Sequence, residues 1–214
     1  MPPKQTTVLR DSLLDALDPH FAGWGFHRAK RSFEWFRQPR PDVVHGVHLN
    51  CAAYESTGRV DIIPTLEVGL ESVERALAEF AEKPRGTYSC SFGCQLHTLL
   101  HAEYVATTQD GPMPTVARLA ADIGRHGLST LDRLSSLEGV SDLLASSSPR
   151  DWPTLLGRSS RARLLPLVLA LRGRTAEAHD WLHRLREDLQ GRDQLTPDIE
   201  TFARWFQERF GQVA

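Results

Sequence analysis

Residues 21–70 constrain the fold of this chain more than any other segment does. A basic aromatic stretch, 26–37, follows Gly25, and two turns then separate it from the apolar runs Val43–Tyr54 and Val60–Leu70. In the last of these runs apolar and polar residues alternate, as they do in strands that bury one face. Short turns between such runs predict an antiparallel meander.

Helices are predicted on both sides of the meander. After it, Ser72 can begin a helix, and Thr87–Leu96 is a candidate for a fourth strand. Pro64 lacks an N–H group and therefore predicts an edge position or a bulge in the third strand. Before the meander, apolar residues recur at helical spacing. They are Leu9, Leu13, Leu14, Leu17 and Phe21.

The second half of the chain is predicted to be helical. Gly127 occupies a C-cap position after the amphipathic stretch Pro114–Arg125. Residues 169–178 resemble one tetratricopeptide-type helical pair, and because no second copy follows at a fixed period, we interpret the pair as a packing device. The predicted fold class is α+β, with an antiparallel meander of three or four strands flanked by helices and a helical C-terminal half. The sheet domain would span 1–111 and the helical region 112–214, or both would form one continuous domain.

Composition and charge limit the possible functions. The 214 residues carry 25 Lys and Arg against 27 Asp and Glu, so no global field favours nucleic acid or an anionic membrane. The longest apolar run, Leu164–Leu171, is too short to span a bilayer, and no apolar stretch follows Met1 as in a secretory signal. Three cysteines suit a reducing compartment better than a disulfide framework. We therefore expect a cytoplasmic protein without a membrane partner.

One set of residues has the composition of a zinc site. Cys90, Cys94 and His97 follow a C-x3-C-x2-H spacing, and Cys51 lies on a strand that could pass nearby. Structural zinc sites take four thiolate or imidazole ligands, and cysteines commonly enter them as closely spaced pairs. A second pair is missing here, and free cysteines are commonly small core residues. The sequence leaves open both a zinc-dependent enzyme and three buried thiols.

Motifs with a recognisable catalytic mechanism are absent from the sequence. His97 and His101, like His179 and His183, are spaced to share a helix face, but neither pair has the Glu of the metalloprotease motif. No G-x-S-x-G elbow and no Gly-rich phosphate loop is present. No cofactor is predicted, and the lack of a motif favours a non-catalytic role without deciding it.

The basic aromatic segment is the candidate binding region. Between Phe26 and Arg40 it carries five Lys and Arg residues against one acid, Glu34. Binders of single-stranded nucleic acid stack bases on aromatic rings and hold phosphates with cations. Alternatively, the rings belong to the core and the cations form a solvated face, or a protein partner contacts them. The predicted partner-binding residues are Arg28, Lys30, Arg31, Trp35, Arg37 and Arg40.

The order of these elements resembles a known family. An opening helix, Gly25-Phe26, a basic strand with Phe33 and Trp35-Phe36-Arg37, two more strands and the run Gly127–Leu131 are similar to a family of uncharacterised bacterial α+β domains of unknown function, over about residues 6–145. Related groups are candidate immunity proteins encoded beside polymorphic-toxin genes. The resemblance implies a non-enzymatic protein and supplies no catalytic or binding residues. We expect a protein-binding protein, such as an immunity or accessory factor in a bacterial conflict system. A single-stranded nucleic-acid binder and a zinc-dependent enzyme are the alternatives.

Overall fold

Six strands form one antiparallel sheet in the part of the chain that the computed structural model describes, residues 4–29, 32–82, 90–145, 158–189 and 196–211. The α+β class is therefore confirmed, with more strands than the three or four predicted. The strands are β1 (His27–Arg28), β2 (Glu34–Arg40), β3 (Val43–Tyr54), β4 (Arg59–Leu70), β5 (Phe92–Gln95) and β6 (Tyr104–Thr107). They pair in the order β1-β2-β3-β4-β5, and β6 also pairs with β4.

The basic aromatic segment is a hairpin, and the prediction of one continuous strand there is wrong. His27 pairs with Phe36 and Arg28 pairs with Trp35, so β1 folds back on β2. The chain reaches β1 through Gly25, whose φ of +78° is a conformation that L side chains rarely adopt. Because β1 has only two residues, the second half of β2 has no partner on its outer side among the described residues.

Strand β4 lies at the centre of the sheet, so the edge position predicted from Pro64 is also wrong. β3 pairs along the whole of one side of β4. On the other side, β6 covers Arg59–Ile62 and β5 covers Thr65–Val68. Pro64 falls in the gap between β5 and β6, where no ladder bond is required of its nitrogen.

Nine α-helices accompany the sheet in the described residues, and the fourth does not end where the sequence predicts. They are α1 (Gln5–Gly23), α2 (Glu71–Phe80), α3 (Leu96–Leu100), α4 (Met113–Asp122), α5 (Leu128–Arg133), α6 (Leu137–Ala145), α7 (Arg158–Leu171), α8 (Thr175–Leu189) and α9 (Thr196–Phe210). A π-helical turn, Ile123–Gly127, joins α4 to α5. A Cβ atom on Gly127 would lie 3.3 Å from Cγ2 of Ile123 and 3.4 Å from Cδ2 of Leu66. The glycine therefore allows a close approach to β4 and does not cap a helix.

The two faces of the sheet have different surroundings. On the core face, Trp35, Val47 and Leu66 are at most 1% exposed and share one hydrophobic core with side chains of α1, α4 and α5. The outer face carries the side chains that alternate with these along β2, β3 and β4. Among them are Glu34, Phe36, His48, Thr65 and Glu67.

The C-terminal helices complete the molecule. α7 packs against α2, α6, α8 and α9, so its nearly continuous apolar sequence is buried on more than one side. Side chains from before and after residue 111 belong to one hydrophobic core, while the division of the chain at that residue stays a prediction. None of the described helices is long and apolar enough to cross a membrane.

Candidate functional site

A cleft of about 590 Å³ opens at the edge of the sheet, beside the hairpin of β1 and β2. β1 begins only at His27, after the turn at Gly25, and this leaves the outer side of β2 uncovered beyond Phe36. Its lining residues are Trp24, Gly25, His27, Arg28, Ala29, Phe36, Arg37, Gln38 and Pro39. Of the predicted binding residues that the structure describes, Arg28 and Arg37 border this concave surface, and Trp35 and Arg40 do not.

The backbone of β2 presents a free edge to this cleft. Phe33 O accepts a hydrogen bond from Leu49 N on β3, whereas Glu34 O accepts one from Ala29 N on the opposite side. Polar backbone groups alternate in direction along a strand, and the pairing of β2 with β3 shifts in register between Arg37 and Arg40. Because β1 pairs only as far as Phe36, no described strand covers Gln38. An exposed strand edge of this kind is a template for an added strand.

Arg28 is held in place by acids of α1. Its Nη1 lies 3.1 Å from Oδ1 of Asp15 and 3.2 Å from Oδ2 of Asp18. Its Nε donates to Ser32 O at 3.0 Å, and its guanidinium carbon lies 5.3 Å from the ring centroid of Trp35. Arg28 is thus a fixed cation on the wall of the cleft.

Arg37 and Arg40 are also engaged within the molecule. Arg37 Nη1 donates to Trp24 O at 3.1 Å, and Nη2 donates to Oδ1 of Asp132 at 3.3 Å. Arg40 Nη2 donates to Ser135 O at 2.5 Å, and its Nε lies 3.4 Å from Oδ1 of Asp42. The two arginines therefore link β2 to α5 and to the residues that follow it.

Trp35 is not available to a partner, and its place among the predicted binding residues is corrected. Its side chain is 1% exposed, and its ring stacks on Phe21 with centroids 4.5 Å apart. Its Nε1 donates to Oδ1 of Asp18 at 2.7 Å. The aromatic rings that do line the cleft are those of Trp24 and Phe36. Lys30 and Arg31 lie outside the described residues.

The lining of the cleft is cationic. Arg28 and Arg37 line it, and none of its described lining residues is acidic. The carboxylates that hold the arginines, Asp18 and Asp132 among them, are exposed to solvent but do not line the cleft. Burial lowers the pKa of Arg37 from its ordinary value and Asp132 opposes that effect, so Arg37 keeps its charge at neutral pH. The surface is thus suited to a partner that carries negative charge.

A buried chain of hydrogen bonds lies behind the cleft, on the core face. Arg37 Nε donates to Nδ1 of His45 at 3.1 Å, and Nε2 of His45 lies 2.6 Å from Ser135 Oγ. Ser135 Oγ in turn donates to Leu131 O at 2.8 Å. Burial first, and then Arg37 and Arg40, lower the pKa of His45 to about 4, while Asp132 opposes them. His45 is therefore neutral at pH 7.

The direction of this chain excludes Ser135 as a nucleophile activated by His45. An arginine nitrogen can only donate, so Nδ1 of His45 accepts and the ring proton resides on Nε2. His45 then donates to Ser135, and Ser135 donates to Leu131. A general base would have to accept the serine proton instead. The Ser–His pair is a structural link between β3 and the segment after α5.

The structure does not bring the predicted zinc ligands together. Cys51 and Cys94 lie on the core face, but opposite Ile62 and Leu66, on strands that β4 separates. Cys90 is near Glu67, a residue of the outer face. Within the described ranges, no three His, Cys, Asp or Glu side chains are placed to hold a metal ion. Burial raises the pKa of Cys51 to about 11 and that of Cys94 to about 12, as expected of buried thiols.

Several residues of this region carry no sequence signal of their role. Trp24 and Gln38 border the cleft, but neither belongs to a motif. Ser135 meets His45 across 90 positions of sequence, and no local pattern predicts such a contact. The pairing of Glu34 with His48 across β2 and β3 was accessible in principle, because register follows from alternation once the turn is known.

Comparison of the chain with protein-family models, curated proteins and solved structures gives no match, so the resemblance stated above stays a prediction.

Proposed function

We propose that this chain is a non-catalytic protein-binding protein that takes up an extended, acidic segment of its partner along the outer edge of β2. The observation that carries this proposal is the cationic cleft at a strand edge that β1 leaves uncovered. An added strand would gain main-chain hydrogen bonds from the edge and side-chain specificity from the flanking pockets. Trp24 and Phe36 supply the aromatic surface of the cleft.

The cations of the cleft suit this role because they are already ordered. Arg28 and Arg37 are each fixed by at least one carboxylate and one backbone carbonyl. A partner therefore meets donors whose side-chain entropy has been lost on folding, which favours affinity. Asp18 and Asp132 already bind these guanidinium groups, so an acidic side chain of the partner would share the donors with them, as a phosphate would.

A single-stranded nucleic acid is a less favoured ligand of the cleft than an acidic protein segment. The predicted stacking ring, Trp35, is buried against Phe21. Among the described residues of the segment, the three arginines are paired with carboxylates, so a phosphate would compete with Asp18, Asp132 or Asp42. The resemblance implies that a protein of this kind neutralises a toxin in the cytoplasm. We include this in the proposal, so the expected partner is a toxin protein.

The test is site-specific cross-linking in the native host. A photoreactive amino acid replaces His27, an exposed residue of the cleft, and in a matched strain it replaces Gln207, an exposed residue of α9. We expect one protein adduct at position 27, resistant to nuclease and absent at position 207, with the cross-link mapped to an acidic extended segment of the partner. Adducts of equal yield at both positions, or an adduct lost with nuclease, would contradict the proposal.

A substitution that adds a negative charge to the cleft distinguishes specific binding from nonspecific adhesion. Gln38→Glu adds an acid to the cleft, and we expect about a five- to tenfold loss of adduct in the position-27 strain because like charges repel across an interface. Gln207→Glu adds the same charge to the exposed surface of α9 and should leave the adduct unchanged.

A further inference from the structure

The π-helical turn between α4 and α5 contains two glycines that pack against different parts of the molecule. A hydrogen bond across five residues makes this turn wider than a turn of α-helix. A Cβ atom on Gly127 would lie 3.4 Å from Cδ2 of Leu66 on β4. A Cβ atom on Gly124 would lie 3.2 Å from Cζ2 of Trp24, at the C-terminal end of α1. The turn therefore contacts the sheet through one glycine and the indole ring of Trp24 through the other.

Trp24 is held by the protein and also lines the cleft at the edge of β2. Its carbonyl oxygen accepts a hydrogen bond from Arg37 Nη1 at 3.1 Å. Its ring meets that of Phe21 edge to face, with centroids 5.6 Å apart, and its centroid lies 6.4 Å from that of the His20 ring. Trp24 is nevertheless only partly buried, and it is one of the two aromatic residues with six-membered rings that line the cleft. This residue therefore connects the packing at the end of α1 with the shape of the cleft.

The backbone of Gly124 leaves no room for a side chain beside the indole. Carbon atoms in ordinary contact are about 3.5–4.0 Å apart. At 3.2 Å, a methyl group on Gly124 would displace its neighbour by a few tenths of an ångström. Gly127 packs the turn against the fully buried Leu66, whereas the indole of Trp24 is partly exposed. The indole is therefore the group that would move.

We propose that Gly124 positions the indole of Trp24 and thereby determines the affinity of the cleft for its partner. Tryptophan is prominent among the residues that carry binding energy at interfaces, and a side chain that is already in place costs less to order on binding. Gly124 lies outside the lining of the cleft, so it acts on the partner only through Trp24. This role rests on the proposed function of the cleft, and it makes Gly124 a positioning residue of that site.

The first measurement is the indole N–H signal of Trp24 in the isotope-labelled protein, assigned by its loss in Trp24→Phe. Gly124→Ala should shift this signal, because the ring moves relative to the ring of Phe21. Gly23→Ala adds the same methyl group next to Trp24, at a position where no heavy atom lies within 4 Å, and should leave the signal in place. An unshifted signal in Gly124→Ala would overturn the proposal.

The second measurement is the yield of the protein adduct in the position-27 strain. Gly124→Ala should lower this yield by about three- to fivefold, because the displaced indole no longer fits the partner. Gly23→Ala should leave the yield unchanged. A full yield in Gly124→Ala would overturn the role of Gly124 and leave the proposed function standing.

A double substitution shows whether the effect passes through Trp24. Phenylalanine lacks the indole carbons that meet Gly124, so Trp24→Phe removes the contact together with part of the binding surface. Coupled residues give non-additive effects. Gly124→Ala should therefore cause no further loss of adduct in a Trp24→Phe background. A further loss of about threefold or more there would show that Gly124 acts by another route, and would overturn the proposal.

Urea denaturation separates this role from a general need for glycine in the turn. Gly127→Ala should lower the midpoint of unfolding, because its methyl group meets Leu66 in the core. Gly124→Ala should change the midpoint little, because the partly exposed indole yields. Equal decreases in the two variants would assign Gly124 to the fold and overturn the proposal. If the unmodified protein forms no adduct at position 27, the proposed function fails, and the indole signal then decides whether Gly124 positions Trp24.

Discussion

Strand β3 carries two histidines, three positions apart, that lie in opposite surroundings. His45, on the core face, is fully buried and has a partner at each ring nitrogen, Arg37 and Ser135. His48, on the outer face, is only partly buried and lies beside Glu34, Glu67 and the unpartnered hydroxyl of Thr65. A buried polar group with all its bonds made supports the fold, whereas one without a partner lowers stability by the cost of its desolvation.

The largest expected effect comes from removing the satisfied histidine. His45→Ala leaves the guanidinium of Arg37 and the hydroxyl of Ser135 without their partner and opens a space in the core. We expect the free energy of unfolding to fall by about 2–4 kcal/mol, measured by urea denaturation.

The control for this change lies on the same strand. His48→Ala removes the same side chain from the partly exposed outer face and should change the free energy of unfolding by less than about 0.5 kcal/mol. Equal losses of unfolding free energy in His45→Ala and His48→Ala would show that the core face and the outer face do not differ in how much their histidines stabilise the fold.

The decrease in the free energy of unfolding at acidic pH should come from His45. Its pKa is about 4 in the folded protein against 6.5 ordinarily, so the unfolded chain takes up the proton first. The free energy of unfolding should therefore be constant above about pH 6.5 and fall by about 2–3 kcal/mol as the pH drops to 4. His45→Gln should lose this slope, and His48→Gln should keep it. A slope that persists in His45→Gln must come from other groups and would refute the assignment.

Ionisation of Glu67 should change the free energy of unfolding in the opposite direction with pH, and by a smaller amount. Its pKa is about 6 when folded against 4.5 ordinarily, so its charge opposes folding as the pH rises from 4.5 to 6. Glu67→Gln should then raise the free energy of unfolding at pH 7 by about 1 kcal/mol. Glu208→Gln is the control of equal charge, and a loss of stability in Glu67→Gln alone would mean that the carboxylate has a stabilising partner.

Sequence alone predicted the centre of this molecule better than its edges. The bounds of β3 follow from the turns on either side of it, and the inward residues of β4 follow from long alternation, which the core enforces. β6 was missed because four residues give too little alternation to recognise. The sequence predicts a helix end at Gly127, because a glycine needed for close packing on Leu66 has the same sequence signature as a helix cap.

The candidate site was predicted in part, for a related reason. Arg28 and Arg37 border the cleft as expected of a basic segment, but their carboxylate partners, Asp18 and Asp132, lie 10 and 95 positions away. No sequence pattern relates residues at such distances. The same holds for Glu67 and Glu34, whose proximity depends on the register of β3 with two neighbours.

The most direct test of the account removes one buried hydroxyl from each face and compares the signs. Ser135→Ala deprives His45 Nε2 of its acceptor and should lower the free energy of unfolding by about 1–3 kcal/mol. Thr65→Val removes a hydroxyl that has no partner and should raise the free energy of unfolding by up to about 1 kcal/mol. Opposite signs in parallel urea denaturations are the predicted result. A loss of stability in Thr65→Val as large as that in Ser135→Ala would contradict the claim that the outer face, and not the core face, carries the unsatisfied groups.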